Sequence, residues 1–536
     1  MIGIWQPRFA GEQEETASQQ GGIPMSNSIM LMGTSSHVGK SILTTALCRI
    51  FHQQGRKVVP FKAQNMALNS YVTKDGKEMG RAQVAQAEAA GLEPMVDMNP
   101  VLLKPTGNSR SQVILMGVPV GNMSAAEYHQ GYSLKAFETV KEALGRLVLA
   151  YDTLVIEGAG SPAEINLKEN DIVNMRVAKY LQAPVLLIAD IDRGGALASL
   201  VGTLALLDEE ERALVKGLII NKFRGDVRLL MPAVEFLEKK TGKPVLGIVP
   251  HIENLGIDDE DSVSLEEKQE VPEEGDIRIA VVRTPKLSNF TDFDSLAAEP
   301  DVALYYVQSR EELGEPDLIL LPGSKNTTED LLWIRESGLE EAIRECVANG
   351  TPLWGICGGY QMLGREIRDP HHTESDHDGI RGMGFLDMET TFEAEKLTAQ
   401  VTADCLSLNF LGKNIRAEGM PGYEIHMGHT AFGSGVEHPF HITAKADEPF
   451  DSWDGAVSIR EHGGDIVGSY IHGIFDHDGF RRQVLNSLRE RKGLAPLSVQ
   501  RNVRTEKERA YNRLADIVRR SLDMDKLAEI MGETRC

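Results

Sequence analysis

The sequence predicts an α/β protein built from two doubly wound domains, each a parallel sheet covered by helices on both faces. From Ser28 onward, short continuous apolar runs such as IMLMG, TLVIEG and APVLLIAD alternate with segments of helical periodicity. Runs that are apolar at every position are typical of parallel strands buried on both faces. A second series, RIAVVRTP, DLILLPGS and PLWGICGG, follows an acidic stretch. The same architecture is therefore expected twice.

Composition shifts along the chain predict five segments. Residues 1–27 are polar and lack the apolar core of a secretory signal, so a disordered leader is expected. The first domain should span 28–250, an acidic linker 251–275, and the second domain 276–495. Apolar residues recur at helical spacing in 496–536, and we expect these C-terminal helices to pack on the second domain.

Charge and cysteine usage exclude several classes of protein. The 536-residue chain has 56 basic and 79 acidic side chains, a net charge of −23 that would repel nucleic acid and anionic lipid. Its apolar runs fall short of the roughly 20 residues needed to cross a bilayer. Five cysteines without paired CxxC spacing favour a reduced, cytoplasmic protein. The sequence leaves the oligomeric state open, a homo-oligomer included.

A phosphate-binding loop is predicted directly after the first strand. The segment GTSSHVGKS places Thr34, Gly39, Lys40 and Ser41 between an apolar run and a helix-forming segment. In this context backbone N–H groups and the helix dipole hold phosphates, a lysine reaches the β- and γ-phosphates, and a hydroxyl meets Mg²⁺. The first glycine stands one residue earlier than in the usual motif, and this variant resembles dethiobiotin synthetase and related amidoligases. A structural turn with an accidental lysine is the alternative interpretation.

A carboxylate is expected beside this loop. Glu157 ends the apolar run TLVIEG and could join Ser41 around Mg²⁺, which prefers hard oxygen ligands. The alternative is a solvated strand cap. In PFKAQNMALNS, Lys62 and Asn65 follow another strand and could meet a carboxylate substrate, or could be loop residues that satisfy one another. Arg110 in TGNSRSQV is a further substrate-side candidate.

A cysteine nucleophile is predicted in the second half. Cys357 in WGICGGYQMLG lies on a glycine-flanked turn from strand to helix, where the helix N-terminus favours a thiolate. This spelling resembles class I glutamine amidotransferases. The resemblance implies His472 in GSYIHGIF as the proton partner, and an oxyanion site at Gly323 in LPGSKN and at Gly358.

The third residue of this site stays open in the sequence. Many class I glutaminases carry a glutamate two residues after the histidine, where this chain has Ile474. Glu424 in GYEIHMG or Asp476 could orient the imidazole, or Cys357 and His472 could act as a dyad.

The motifs taken together resemble adenosylcobyric acid synthases. GTSSHVGKS, PFKAQNMALNS, EGAGSPAEINL, INKFRGD, GICGGYQMLG and YIHGIF occur in that order. The resemblance implies ATP, Mg²⁺, glutamine and a corrinoid substrate with four carboxylates to amidate, and it implies a base contact for Asn221. Cobyrinic acid a,c-diamide synthase is the nearest alternative. A ParA- or MinD-like partitioning ATPase is disfavoured, since Thr34-Ser35 replace the extra lysine of that group and a fused glutaminase has no place in it.

Overall fold

The computed structural model describes residues 27–533, apart from residues 108, 254, 258–275, 460–462 and 500. The predicted leader, except its last residue, and most of the predicted linker therefore lie outside the described residues. Within these residues, no helix is both long enough and apolar enough to span a membrane.

The first domain ends with the strand that precedes the predicted linker. Its strands and helices are β1 (Asn27–Gly33), α1 (Lys40–Gln53), β2 (Val58–Phe61), β3 (Gln64–Met66), β4 (Ser70–Val72), β5 (Glu78–Gly80), α2 (Arg81–Ala89), β6 (Val101–Gly107), β7 (Arg110–Leu115), β8 (Val118–Ser124), α3 (Ala125–Glu127), α4 (Ser133–Ala150), β9 (Thr153–Glu157), α5 (Met175–Leu181), β10 (Val185–Asp190), α6 (Ala196–Leu206), α7 (Glu209–Leu214), β11 (Val215–Phe223), α8 (Val227–Thr241) and β12 (Val245–Pro250).

The second domain and the C-terminal helices follow. Their elements are β13 (Ile277–Val282), β14 (Leu287–Ser288), α9 (Asp294–Ala297), β15 (Val302–Val307), α10 (Arg310–Leu313), β16 (Leu318–Leu321), β17 (Gly323–Ser324), α11 (Thr327–Glu336), α12 (Leu339–Ala348), β18 (Leu353–Ile356), α13 (Gly358–Met362), β19 (Glu366–Arg368), β20 (Gly379–Arg381), β21 (Met388–Phe410), β22 (Lys413–Phe432), β23 (Phe440–Lys445), β24 (Glu448–Asp454), β25 (Ala456–Ser458), β26 (Ile466–Ser469), α14 (Asp478–Arg491), α15 (Val503–Ser521) and α16 (Met524–Ile530).

The main sheet of the first domain confirms the predicted fold class. Six strands pair in the order β12-β11-β10-β1-β9-β2, and all the pairings are parallel. The central strand β1 is buried from Ser28 to Gly33, as its uninterrupted apolar run predicts. Because β1 and β9 run side by side, the phosphate loop after β1 and Glu157 at the end of β9 lie at the same sheet edge.

Two small sheets lie between β2 and α4. Strands β3, β6, β7 and β8 form one of them, and β4 pairs with β5 in the other. The sequence analysis assigned only loop and substrate candidates to this region. These strands are three to seven residues long and all except β5 are partly exposed, so they lack the continuous apolar runs that revealed the main sheet.

The second domain has the predicted parallel sheet and an additional mixed sheet, in which only β19 and β21 pair in parallel. The first sheet runs β15-β13-β16-β18-β26-β25, with only β25 antiparallel to its neighbour. Trp354 on β18 is fully buried against Phe410, Phe475 and Phe480. The second sheet is built on the long β21–β22 hairpin, which reaches the first domain through Gln400: its Nε2 donates to Tyr71 Oη at 2.8 Å.

The C-terminal helices pack on the first domain, so the expectation that they cover the second domain is wrong. Tyr511 and Leu514 of α15 belong to the same buried cluster as Leu47 of α1. Tyr511 Oη donates to Glu88 at 2.6 Å, and Arg49 pairs with Glu508 at 2.6 Å. Helical periodicity identifies the apolar face of a helix but carries no information on which domain covers that face.

Candidate active sites

The phosphate loop joins the end of β1 to the start of α1. Gly39 has a φ of 95°, and a Cβ there would lie 2.2 Å from Asn221 Nδ2, so both the backbone and the space require glycine. Asn221 Nδ2 donates to Val38 O at 2.7 Å and thereby braces the loop. Lys40 begins α1 and is 6% exposed, which places its side chain inside the loop.

Hydrogen bonds hold the loop and its lysine in place. Lys40 Nζ donates to Ser35 O at 3.1 Å and to Gly160 O at 3.3 Å. Thr34 N donates to Ile188 O at 2.9 Å, which ties the start of the loop to β10. Strand, loop, lysine and helix start are therefore arranged as a phosphate site requires.

Glu157 is the centre of a buried polar cluster at this edge of the sheet. Its Oε1 accepts hydrogen bonds from Ser41 Oγ at 2.8 Å and from Lys62 Nζ at 2.9 Å. Its Oε2 accepts one from Gln86 Nε2 at 2.6 Å. Glu157 is fully buried, so the strand-cap interpretation, which requires a solvated carboxylate, does not describe it.

The donor set around Glu157 fits a magnesium ion. A hydroxyl and a carboxylate oxygen, both hard ligands, lie in contact at the start of α1. Among the described residues, Gln83 Nε2 and Gln86 Oε1 on α2 are buried without a hydrogen-bond partner. Buried polar atoms without partners are uncommon in folded proteins and often accompany a functional site. Both glutamines were missed in the sequence; their only signal is their spacing of three residues in the alanine-rich segment RAQVAQAEAA.

The two other substrate candidates lie in different surroundings. Asn65 is buried, and its Nδ2 donates to Gln83 Oε1 at 3.0 Å, next to the Glu157 cluster. Arg110 is exposed at the turn between β6 and β7, paired in register with Gly107. Asn65 pairs with Leu102, which lies on the same strand β6 as Gly107. Leu102 and Gly107 are five residues apart, or roughly 17 Å at 3.3 Å per residue. The structure therefore does not bring Arg110 into the buried cluster.

Cys357 lies on a strained turn between β18 and α13. Its φ of 50° and ψ of −108° are rare for a residue with a side chain, and such strain is common at active sites. A Cβ at Gly358 would lie 2.7 Å from Ser324 N, and one at Gly359 would lie 2.1 Å from Leu321 O. Because both residues are glycines, the turn can pack closely against the loop that carries Gly323.

His472 and the carboxylate of Asp292 are buried together. His472 Nδ1 lies 2.6 Å from Asp292 Oδ2, and Gly473 N donates to Asp292 Oδ1 at 3.0 Å. The ring of Tyr423 stacks on His472 with 5.0 Å between centroids. Burial lowers the pKa of His472, but the charge and hydrogen bond of Asp292, together with Cys357, outweigh it and raise the pKa to about 10.

Asp292 therefore replaces both carboxylates considered from the sequence. Glu424 pairs instead with Lys445 at 3.2 Å, and the backbone N of Asp476 donates to Gly473 O. Asp292 precedes His472 by 180 residues in the chain. No motif marks it, so only the folded chain identifies it.

Cys357 and His472 line one small cavity. Ser324, Lys325, Gln361, Glu374 and His426 also line this cavity, which has a volume of about 30 Å³ and is called here the Cys357 cavity. A Cβ at Gly323 would lie 3.4 Å from His472 Cε1. The structure thus brings Cys357, His472, Gly323 and Gly358 together, as the motifs predict.

A larger cavity of about 1140 Å³ lies between the two domains. Gly39 and Asn221 of the first domain line it together with Thr291 of the second domain and Arg509 and Arg513 of α15. The space adjoins the phosphate loop and is bounded in part by arginines, which suits an anionic ligand.

Fold and sites define a two-domain protein with a nucleotide-binding domain and a glutamine amidotransferase domain. Residues 29–264 match the family model of the CobQ/CobB/MinD/ParA nucleotide binding domain. Residues 278–480 match the CobB/CobQ-like glutamine amidotransferase domain.

Comparison with curated proteins identifies the family more narrowly. The chain is 54% identical over 513 residues to cobyric acid synthase of Pelotomaculum thermopropionicum, covering 95% of this chain and 97% of that protein. It is 53% identical to cobyric acid synthase of Moorella thermoacetica, covering 95% and 98%, and 52% identical to that of Desulfitobacterium hafniense, covering 94% and 98%. The chain belongs to the cobyric acid synthase family of glutamine-dependent amidating ligases.

Proposed function

We propose that this chain amidates the b, d, e and g carboxylates of adenosylcobyrinic acid a,c-diamide to give adenosylcobyric acid in cobalamin biosynthesis, using ATP and glutamine. The presence in one chain of the buried Cys357–His472 pair and of a phosphate loop next to Glu157 carries this proposal. Membership of the cobyric acid synthase family supports the choice of a corrinoid substrate.

The second domain releases ammonia from glutamine. The Cys357 sulfur attacks the side-chain carbonyl carbon, and His472 takes the thiol proton and returns it to the departing nitrogen. Backbone N–H groups near Gly323 and Gly358 stabilise the oxyanion of the tetrahedral intermediate. Water then hydrolyses the glutamyl thioester to glutamate and restores the thiol. Asp292 acts through His472 as a positioning residue, since it contacts Nδ1 rather than the substrate.

The first domain activates the carboxylate. Transfer of the γ-phosphoryl group of ATP to a corrinoid carboxylate gives an acyl phosphate and ADP, and ammonia then displaces phosphate to form the amide. Lys40 offsets charge on the transferring group, and Asn221 contacts the base of ATP. Ser41 and Glu157 would hold Mg²⁺, which supplies positive charge beside the phosphates. Lys62 and Asn65 serve the carboxylate substrate, and Arg110 would act only at its periphery.

Steady-state assays of the purified chain test the proposal. ADP release should require both the corrinoid and a nitrogen source, and mass spectrometry should show up to four added amides. ADP release that is indifferent to the corrinoid would contradict the proposal. Amidation of cobyrinic acid at its a and c carboxylates only would favour the a,c-diamide synthase activity instead.

A further inference from the structure

One residue that lines the Cys357 cavity comes from the other domain. Lys104 of β6 in the first domain lines it, as does Lys396 of β21 in the second. The rest of the lining comes from the second domain. The cavity, with a volume of about 30 Å³, has room for small molecules such as water or ammonia. Lys104 is the point at which its lining meets the first domain.

A single buried carboxylate joins the two lysines. Glu78 of β5 accepts a hydrogen bond from Lys104 Nζ at 2.8 Å and another from Lys396 Nζ at 2.5 Å. The Glu78 side chain is fully buried, and those of Lys104 and Lys396 are 5% and 7% exposed. These three residues are called here the Glu78 cluster. It is an ion-pair network across the domain interface, because Lys396 comes from the glutaminase and its partners do not.

The backbone around Lys396 departs from regular strand pairing. The pairing of β21 with β22 shifts between Phe392 and Leu397: Phe392 faces Gly428, and Leu397 faces His426. Four residues of β21, 393–396, therefore oppose one residue of β22, Met427. Such bulges re-aim side chains and are frequent beside active sites. Lys396 lies within this bulge.

The Glu78 cluster also adjoins the phosphoryl site. Strand β5 begins at Glu78 and ends at Gly80, where a Cβ would lie 2.7 Å from both Asn65 Nδ2 and Gln83 Oε1. Gln83 is the α2 residue whose Nε2 lacks a partner among the described residues. Two residues of one strand thus connect the wall of the Cys357 cavity to the polar groups beside Glu157.

The charges of the cavity wall favour ammonia over ammonium. The pKa of Lys396 is lowered to about 8, first by burial and then by neighbouring Lys104 and Lys325, against the attraction of Glu78. The pKa of Lys325 is also lowered, first by burial and then by Lys104, while Glu374, Glu78 and Cys357 oppose the shift. The same environment disfavours a proton on ammonia. Uncharged NH₃ is also the form that attacks an acyl phosphate.

We propose that the Glu78 cluster is the exit through which ammonia leaves the Cys357 cavity for the phosphoryl site of the first domain. The proposal rests on the proposed amidation, and no bond is made or broken in this step. Lys396 is a positioning residue, which sets the exit from the glutaminase side and seals the cavity against loss of ammonia to solvent.

The Lys396→Met variant tests the proposal, because it keeps the length of the side chain and removes the ammonium group. Glutamate and corrinoid amide are measured with glutamine as nitrogen source, and amide again with ammonium salt at raised pH. The ratio of amide to glutamate should fall severalfold, while the ammonia-driven rate serves as the internal reference. A second assay supplies glutamine with an isotope label in its side-chain amide, together with unlabelled ammonium. The unlabelled ammonium should lower the label content of the corrinoid amide in the variant, and not in the wild type. Lys396→Arg, which keeps the charge, should restore most of the ratio.

Two further variants keep the test decisive. Lys492→Met removes an ion pair with Asp317 elsewhere in the second domain and should leave the ratio unchanged. Glu78→Gln changes the Glu78 cluster from the side of the first domain and should also lower the ratio of amide to glutamate. This variant serves as the test if Lys396→Met does not fold. Wild-type ratios in both cluster variants would overturn the proposal, and so would an equal loss of both nitrogen sources. A wild-type enzyme that forms no amide from either source would instead refute the proposed function.

Discussion

Replacing Asp292 by asparagine should disable the glutaminase while leaving the ligase intact. In the wild type the two carboxylate oxygens serve two donors, His472 Nδ1 at 2.6 Å and Gly473 N at 3.0 Å. Asparagine has one acceptor oxygen, so one of these buried donors must face an NH₂ group. A hydrogen bond to a charged group contributes about 1.5–3 kcal/mol. At 1.36 kcal/mol per tenfold in rate, its loss predicts a roughly 10- to 150-fold lower rate of glutamine hydrolysis.

The assay compares glutamate release with ammonia-driven amidation in the same preparation. Glu424→Gln is the matched control, since Glu424 is also a buried carboxylate of this domain but pairs with Lys445 rather than with His472. NMR titration of His472 should show a pKa well below the wild-type value in Asp292→Asn, an effect that a merely structural role would not produce. Full glutaminase activity in Asp292→Asn, or its loss in Glu424→Gln, would refute the assignment.

Three other perturbations follow from the two sites. Lys40→Ala should abolish amidation with glutamine and with ammonia alike, and amide formation from ammonium salt would contradict its phosphate role. Glu157→Gln should raise the Mg²⁺ concentration needed for half-maximal ADP release, because the ion loses a charged ligand beside Ser41; an unchanged Mg²⁺ titration would contradict this role. The pKa of His472 is raised to about 10, so its pairing with Asp292 stabilises the fold fully below about pH 6.5, and the benefit disappears as the pH rises through 10. Denaturant unfolding of wild type and Asp292→Asn should therefore converge at high pH, and a constant difference would contradict the coupling.

The sequence predicted the elements that carry a continuous apolar run and missed those that do not. Strand β1 is recognisable because its residues after Asn27 are all buried. Strands β3 to β8 are short, and all of them except β5 are partly exposed. Their apolar residues pack against partners that the local sequence pattern does not reveal. The apolar face of α15 was predicted correctly but assigned to the wrong domain, because amphipathicity does not specify a partner.

Site residues were predictable where the chemistry lies in one continuous motif. Lys40 and Ser41 lie at the phosphate loop, and Cys357 lies on the turn between β18 and α13. Both turns could be found in the sequence because neighbouring glycines mark them. Asp292 and Gln86 reach their partners across 180 and 71 residues of chain. Neither belongs to a motif, so only the three-dimensional packing of the folded chain identifies them.

The division of labour between two separate sites is the central claim, and the Cys357→Ala variant tests it most directly. This variant removes the thiol and no group assigned to ATP, Mg²⁺ or the corrinoid. Corrinoid amide is measured with glutamine and, separately, with ammonium salt at a pH that supplies NH₃. Amidation from glutamine should disappear, and amidation from ammonia should continue near the wild-type rate. Continued use of glutamine, or loss of both activities in a folded variant, would contradict the account.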